Sequence, residues 1–229
     1  MSDPRTPVFE AVRKIAPPGV FNDPGNMVAL HNILDALGAA REGQAHKLAD
    51  PGAFFSAVRK ITGPLDTVQV ATINDLLSSA AHWPIGWVAY GLATAWHEAR
   101  LKPIAEWGKG QGRPYAAKGK YGQSQYGRGL VQLTWDRNYE WADKALALNG
   151  SLLANFDRAL EPEIATAILV KGMETGAFTG KKLADYIKDR GTPEGFTSAR
   201  RIINGTDKAP TIAGYAEAFL GALDAGGYA

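Results

Sequence analysis

The sequence predicts a mainly α-helical fold. Three observations carry this expectation. Apolar residues recur at helical spacing along most of the chain, prolines stand where a first helical turn tolerates them, and the glycine-dense run is confined to one stretch, Gly108 to Gly129. With 229 residues, 45% hydrophobic and 21% charged, the chain can bury roughly 70% of its unfolded surface as one large domain, or as a domain with a small appendage.

The chain opens with an internal near-repeat. FEAVRKIA (Phe9 to Ala16) is echoed by FSAVRKIT (Phe55 to Thr62), and a Pro/Gly break after each leads to a second helical pattern, VALHNILDAL (Val28 to Leu37) and VATINDLLSS (Val70 to Ser79). The repeat unit is thus a helix, a turn and a helix. Gly38 to Asp50 is polar and is closed by Pro51 and Gly52, which marks a linker. The expected organisation is residues 1–50 as a small N-terminal helical hairpin and residues 51–229 as the main domain.

Pro84 to about Ala99 reads as a largely buried helix, because Trp87, Val88, Tyr90, Leu92, Ala95 and Trp96 cover most of its circumference. Pro103 is expected to end it. Gly108 to Gly129 should be a long surface loop, since glycine in a helix costs about 1 kcal/mol per site relative to alanine. Leu130 to Thr134 alternates enough for a short extended piece. Helical spacing returns in Asn138 to Leu148, Glu161 to Thr175, Lys181 to Asp189, Pro193 to Ile203 and Pro210 to Leu223.

Chemistry concentrates between Trp96 and Tyr139. Glu98 lies near the end of the buried helix among Ala95, Trp96 and Leu101, and apolar surroundings favour a protonated carboxyl, which suits a general acid. Glu106 stands beyond Pro103, beside Trp107 and a basic loop that would keep it ionised, which suits a base. A continuous helix would separate the two by about 12 Å, at 1.5 Å per residue. A turn at Pro103 brings the ~6.5–9.5 Å separation of an inverting glycosidase within reach, with a water held between base and sugar. The same residues also allow a plainer arrangement, in which Glu98 pairs with Arg100 or Arg128 and Glu106 caps a surface turn. In YGRGLVQLTWDRNY (Tyr126 to Tyr139) an extended backbone would direct Gln132 and Thr134 to one face, ahead of Asn138 and Tyr139. Amides and hydroxyls flanked by Trp107, Tyr126 and Trp135 match what sugar rings require, namely directional hydrogen bonds and flat apolar faces.

His97-Glu98, the GRG-x-x-QL-S/T-x-x-x-NY pattern from Gly127 to Tyr139, and ARRIINGTD from Ala199 to Asp207 together resemble the chitinase-like catalytic domain of glycoside hydrolase family 19, in the version carried by bacteriophage endolysins. The resemblance covers roughly Phe54 to Leu223. It implies a lysozyme-like helical domain that hydrolyses β-1,4-glycosidic bonds of bacterial peptidoglycan. It further implies Glu98 as the acid, Glu106 as the base, and Gln132, Thr134 and Asn138 as positioners of the water and the sugar. Arg201 and Asn204 carry over as substrate-binding residues, beside Trp107 and Tyr126. The chain departs from plant chitinases in having no cysteine, in HEA where they have HET, and in offering only Asp207 for the acidic residue of their NGGLE segment. The alternatives are a chitinase, a lytic transglycosylase, and an inactive cell-wall glycan-binding protein. Residues 1–50 would be a wall-binding module or a structural duplication.

Other chemistries fit less well. HExxH is absent because position 101 is Leu, the four histidines (31, 46, 82 and 97) are scattered, and no cysteine exists, so no metal and no cofactor is expected. No GxSxG appears, and the glycines from Gly108 to Gly112 do not link a strand to a helix as a nucleotide loop would. From Glu98 to Lys144 there are nine Lys or Arg against five Asp or Glu, which suggests an anionic partner near the central stretch. Two glutamates in that stretch argue against nucleic acid. The N-terminus lacks a basic start followed by an apolar run, and no stretch reaches the ~18 apolar residues of a membrane span. The expectation is a monomer made in the host bacterial cytoplasm and acting on the wall in the periplasm after release.

Overall fold

The structure, a computed structural model, describes residues 48–228 throughout, together with residues 11, 12, 14–17, 26 and 30. The chain divides into two compact units, Met1–Lys47 and Leu48–Ala229. Most of the first repeat unit, Phe9 to Leu37, and most of the linker expected over Gly38 to Asp50 lie outside the described residues. The end of that linker belongs to the second unit. Leu48 is buried in its core, the Asp50 N–H donates to the Gly226 carbonyl at 2.9 Å, and the Asp50 carboxylate accepts from the Ala53 N–H.

The second unit is mainly helical. Its helices are α1 (Pro51–Thr62), α2 (Thr67–Ser79), α3 (Ile85–Ala99), α4 (Asp136–Ala145), α5 (Ser151–Ala154), α6 (Pro162–Thr175), α7 (Pro193–Ala199) and α8 (Ala209–Ala225). Between α3 and α4 lies a ribbon of two short antiparallel strands, β1 (Ile104–Ala105) and β2 (Arg128–Gly129), with Ile104 opposite Gly129 and Ala105 opposite Arg128. Among the described residues no helix is long and apolar enough to cross a membrane.

Local chemistry fixes the helix ends. Asp66 and Gln69 form a capping box at the start of α2, which satisfies two backbone N–H groups reciprocally. Helix α3 stops at Ala99 because Arg100 and Leu101 turn left-handed, at φ 52° and 58°, so the break comes before Pro103. That turn is held from α2: the Gln69 amide donates to the Arg100 carbonyl at 2.9 Å, and Lys102 pairs with Asp66. Two expected helices differ. Lys181 to Asp189 holds only a 3-10 turn at Leu183–Asp185, where the Asp185 carboxylate accepts from the Lys182 N–H and competes with helical bonding. Pro193 to Ile203 becomes α7 followed by a 3-10 turn at Arg200–Ile202.

Helix α3 is the spine of the main core. Helix α8 packs along it and also against α1 and α7, while α6 packs against α2. Tyr90 of α3 stacks on Phe196 of α7, ring centroids 6.1 Å apart and 5° from parallel, which ties α7 and the turn after it to α3. A second, smaller core gathers Leu133, Tyr139, Leu152, Phe156 and Ile168 around α4 to α6. The segment after β2 joins the two cores, with Leu130 in the first, Leu133 in the second and Val131 touching both.

That segment is not the extended piece expected over Leu130 to Thr134. It is a tight turn closed by paired backbone bonds between Arg128 and Leu133, at 3.1 and 2.8 Å, with Gln132 left-handed at φ 53°. Gly129 makes the turn possible: its φ is 79°, and a Cβ there would lie 2.7 Å from the Ala159 carbonyl oxygen.

Candidate active site

Glu98 sits in the last turn of α3, and its carboxylate is not in the apolar pocket expected for it. The guanidinium of Arg200, itself 2% exposed, donates to Glu98 Oε1 at 2.5 Å. Arg200 reaches it from the 3-10 turn after α7 and is held by a second bond, from its Nε to the Asp207 carbonyl at 2.9 Å. The Glu98 side chain keeps 20% exposure, so it is reachable from solvent while one oxygen stays bound. Neither sequence-proposed partner is used. Arg100 lies over the Trp96 ring at 4.7 Å, and Arg128 pairs with Asp157 at 2.7 Å. His97 packs near Tyr215, and burial holds its imidazole below the ordinary value of 6.5 against the opposing pull of Glu98.

Glu106 follows β1 directly and is oriented through both oxygens. Oε1 accepts from the Tyr115 hydroxyl at 2.8 Å and Oε2 from the Gly127 N–H at 3.0 Å, while the Glu106 N–H donates to the Gly127 carbonyl at 2.7 Å. The hydrogen bond to Glu106 raises the Tyr115 hydroxyl above its ordinary value, so it stays a donor. Tyr115 can lie there because Gly110, at φ 70°, has no side chain: a Cβ would fall 2.7 Å from the Tyr115 ring. Trp107, the next residue, is 98% exposed.

Gln132 and Asn138 brace the turn between β2 and α4. The Gln132 amide donates to the carbonyls of Ile104 and Gly129, each at 3.1 Å, and so ties β1 to β2 behind Glu106. The Asn138 amide donates to the Thr134 carbonyl at 2.7 Å, fixing Thr134 at the entry to α4. Tyr126 does not offer the stacking face expected of it. It is 7% exposed, and the Arg128 guanidinium covers its ring at 3.6 Å. Arg128 also donates to the carbonyls of Ser124 and Tyr126 and to the Tyr139 hydroxyl, so the arginine of the GRG pattern organises the turn. Burial pushes the Tyr139 hydroxyl up to about 12.

Comparison with protein-family models finds no matching family, and no curated protein matches the chain.

The expected residues therefore fall into two groups. Glu106, Gln132, Thr134 and Asn138 are gathered around the ribbon and its turn by the bonds above, and Glu98 stands across the Arg100–Lys102 turn from them. Arg201 and Asn204 are exposed on the segment after α7. Among the described residues Arg201 makes only a 3.5 Å contact to the Ser198 carbonyl, and it is Arg200 that reaches the carboxylate. Arg200 and Tyr115 are the residues that sequence reasoning missed. Of the doubled arginine in ARRIINGTD the sequence reading named only Arg201, whereas the turn after α7 directs Arg200 inward and leaves Arg201 exposed. Nothing local marks Tyr115, whose role depends on the fold of the glycine-rich loop.

Two carboxylates held in unlike ways can do unlike work. Arg200 binds one oxygen of Glu98 and leaves Oε2 for a proton; when that proton departs, the guanidinium stabilises the carboxylate left behind. Glu106 is clamped by two neutral donors, and each of its oxygens keeps a lone pair that can accept a proton from water.

Proposed function

We propose that the second unit is a lysozyme-like glycoside hydrolase resembling family 19, and that it cleaves β-1,4 bonds of bacterial peptidoglycan as an endolysin does. Glu98 delivers a proton from Oε2 to the leaving glycosidic oxygen, and Arg200 holds that carboxyl in place. Glu106 takes a proton from a water that attacks the opposite face of the sugar, in a single displacement with inversion. Thr134 and Asn138 orient the water and the sugar, Gln132 fixes the ribbon that carries Glu106, and the exposed Trp107 offers a face for a sugar ring. Arg201 and Asn204 extend the contact surface on the Arg200 side.

The observation that carries this reading is the contrast between the two carboxylates: one tethered through a single oxygen to a buried guanidinium, the other braced on a ribbon edge by a phenol and a backbone N–H. The roles divide by what each carboxylate keeps free: Glu98 has an unbound Oε2 from which a proton can be delivered, and Glu106 is fixed in orientation so that a water can meet it. The wall is the site of action in this proposal, reached after release from the bacterial cytoplasm, and residues 1–50 serve as a wall-binding or structural addition.

Mass spectrometry of fragments released from purified peptidoglycan tests the reading. Muropeptides with new reducing ends are expected from the wild type and not from Glu98→Gln. A wild-type protein that releases no fragment from peptidoglycan, or that releases 1,6-anhydro sugars, would overturn it.

A further inference from the structure

We propose that the pocket formed by Gln125, Trp135, Asp136 and Arg137 binds a carboxylate-bearing amino sugar, with Trp135 against the ring and Arg137 pairing with the carboxylate. This rests on the glycan-cleaving reading above and extends it to which glycan is preferred. The pocket has a volume of about 430 Å³, within the roughly 300–1,000 Å³ of small-ligand sites.

The pocket adjoins the base. Trp135 is 38% exposed, and its ring stands edge-on to that of Tyr115, with centroids 5.7 Å apart at 82°. Tyr115 is the residue whose hydroxyl donates to Glu106, so one side chain separates the pocket from the reacting carboxylate. The Trp135 backbone is held at φ 71° and ψ 136°, a conformation that side chains other than glycine rarely adopt. Its N–H donates to the Gln125 carbonyl at 3.2 Å, and its carbonyl accepts from the Asn138 N–H at 2.9 Å. Gln125 in turn accepts from the Asp136 N–H at 2.9 Å. The surroundings thus impose an unfavourable backbone on an aromatic residue that is partly exposed and lines the pocket.

The pocket lining carries one exposed cation, Arg137, and one anion, Asp136. Of the cations concentrated in this part of the chain, Lys102 pairs with Asp66, Lys120 with Glu140 and Arg128 with Asp157, and Arg100 lies on Trp96. Arg137 is exposed, lines the pocket and makes no ion pair among the described residues. The Asp136 carboxylate makes no ion pair with Arg137 among the described residues. One of its carboxylate oxygens accepts from the Lys120 N–H at 2.5 Å and the other is buried. A guanidinium beside an aromatic face and an amide suits a ring that carries an acid. In peptidoglycan the acid is either the lactyl carboxylate of an unsubstituted muramic residue or a carboxylate of the stem peptide.

Titration calorimetry in a Glu98→Gln background tests the proposal without depending on turnover. Three probes are compared: glycan strands bearing stem peptides, strands stripped of peptides so that the lactyl carboxylates are free, and a neutral N-acetylglucosamine oligomer. Arg137→Ala is expected to lower the ratio of acidic to neutral affinity about fivefold, as befits a partly exposed ion pair, and Arg137→Glu to lower it further. A fall with stripped strands assigns the lactyl group; a fall confined to peptide-bearing strands assigns the stem. Lys144→Ala, which removes an exposed cation outside the pocket, is the control. An unchanged ratio in Arg137→Ala, or an equal fall in Lys144→Ala, would overturn the pocket. Failure of the hydrolase reading is seen separately, as a wild type that releases no fragments while the affinity ratio still responds to Arg137.

Discussion

The guanidinium of Arg200 donates to Oε1 of Glu98 at 2.5 Å, joining residues 102 positions apart in the chain. The pair locks the end of α3 to the turn after α7. Arg200 is buried and Glu98 is only partly so, which makes the two members unequal in what their loss does.

Glu98→Gln keeps an oxygen that can accept from Arg200, so the fold is expected to hold while the rate falls by on the order of 10²–10⁴ with the proton donor gone. Arg200→Met removes the charge that balances Glu98 and is expected to cost about 2–3 kcal/mol, less than a fully buried pair because Glu98 keeps contact with water. Urea denaturation and a turbidity assay on permeabilised Gram-negative cells read the two effects. A Glu98→Gln protein that retains a tenth of wild-type activity would rule out Glu98 as the acid.

Glu106 tests the stereochemistry. If it activates water, the first product carries the α-anomeric configuration, visible by early-time proton NMR before mutarotation, and Glu106→Gln slows the reaction strongly. Tyr115→Phe removes one of the two donors to Glu106 and is expected to lower kcat about tenfold with little change in KM. A β-anomer as first product would be incompatible with a water-activating base at this position.

The pH dependence of stability should carry the mark of His97. Its folded-state value lies below the ordinary 6.5 because burial disfavours the imidazolium. Its contribution is therefore complete above about 6.5 and is lost as pH falls from there through the folded-state value, since the unfolded chain takes up the proton first. Thermal midpoints of the wild type should decline in that window, and His97→Gln should flatten the slope. An unchanged slope in the variant would assign the decline to other groups.

Truncation distinguishes two boundaries three residues apart. Removing residues 1–47 should leave a folded helical unit. Removing residues 1–50 also takes the buried Leu48 side chain and the Asp50 cap of α1, an expected loss of about 2–4 kcal/mol. Denaturation of the two truncated proteins checks this directly. Equal stabilities would mean that Leu48 and Asp50 add nothing to the second unit.

The sequence by itself determined the helical class, the near extent of α3, α6 and α8, and the stretch in which Glu98 and Glu106 fall; the loop expected over Gly108 to Gly129 ends instead in strand β2 at Arg128–Gly129. These follow from periodicity, proline placement and glycine density, all of which act within a few residues along the chain. The tertiary structure alone decided that Arg200 and not Arg201 meets Glu98, that Tyr126 lies beneath Arg128, and that Leu130 to Thr134 closes as a turn. It also placed Tyr115 on Glu106 and drew Leu48 into the core. Each of those outcomes depends on a partner distant in sequence. Arg200 is selected by the stacking of Tyr90 on Phe196 that positions α7, and the turn after β2 by the Ala159 carbonyl that leaves no room for a side chain at Gly129. Local patterning specifies which face of an element is apolar. Which charged or aromatic side chain then meets a given carboxylate is settled only when those faces pack.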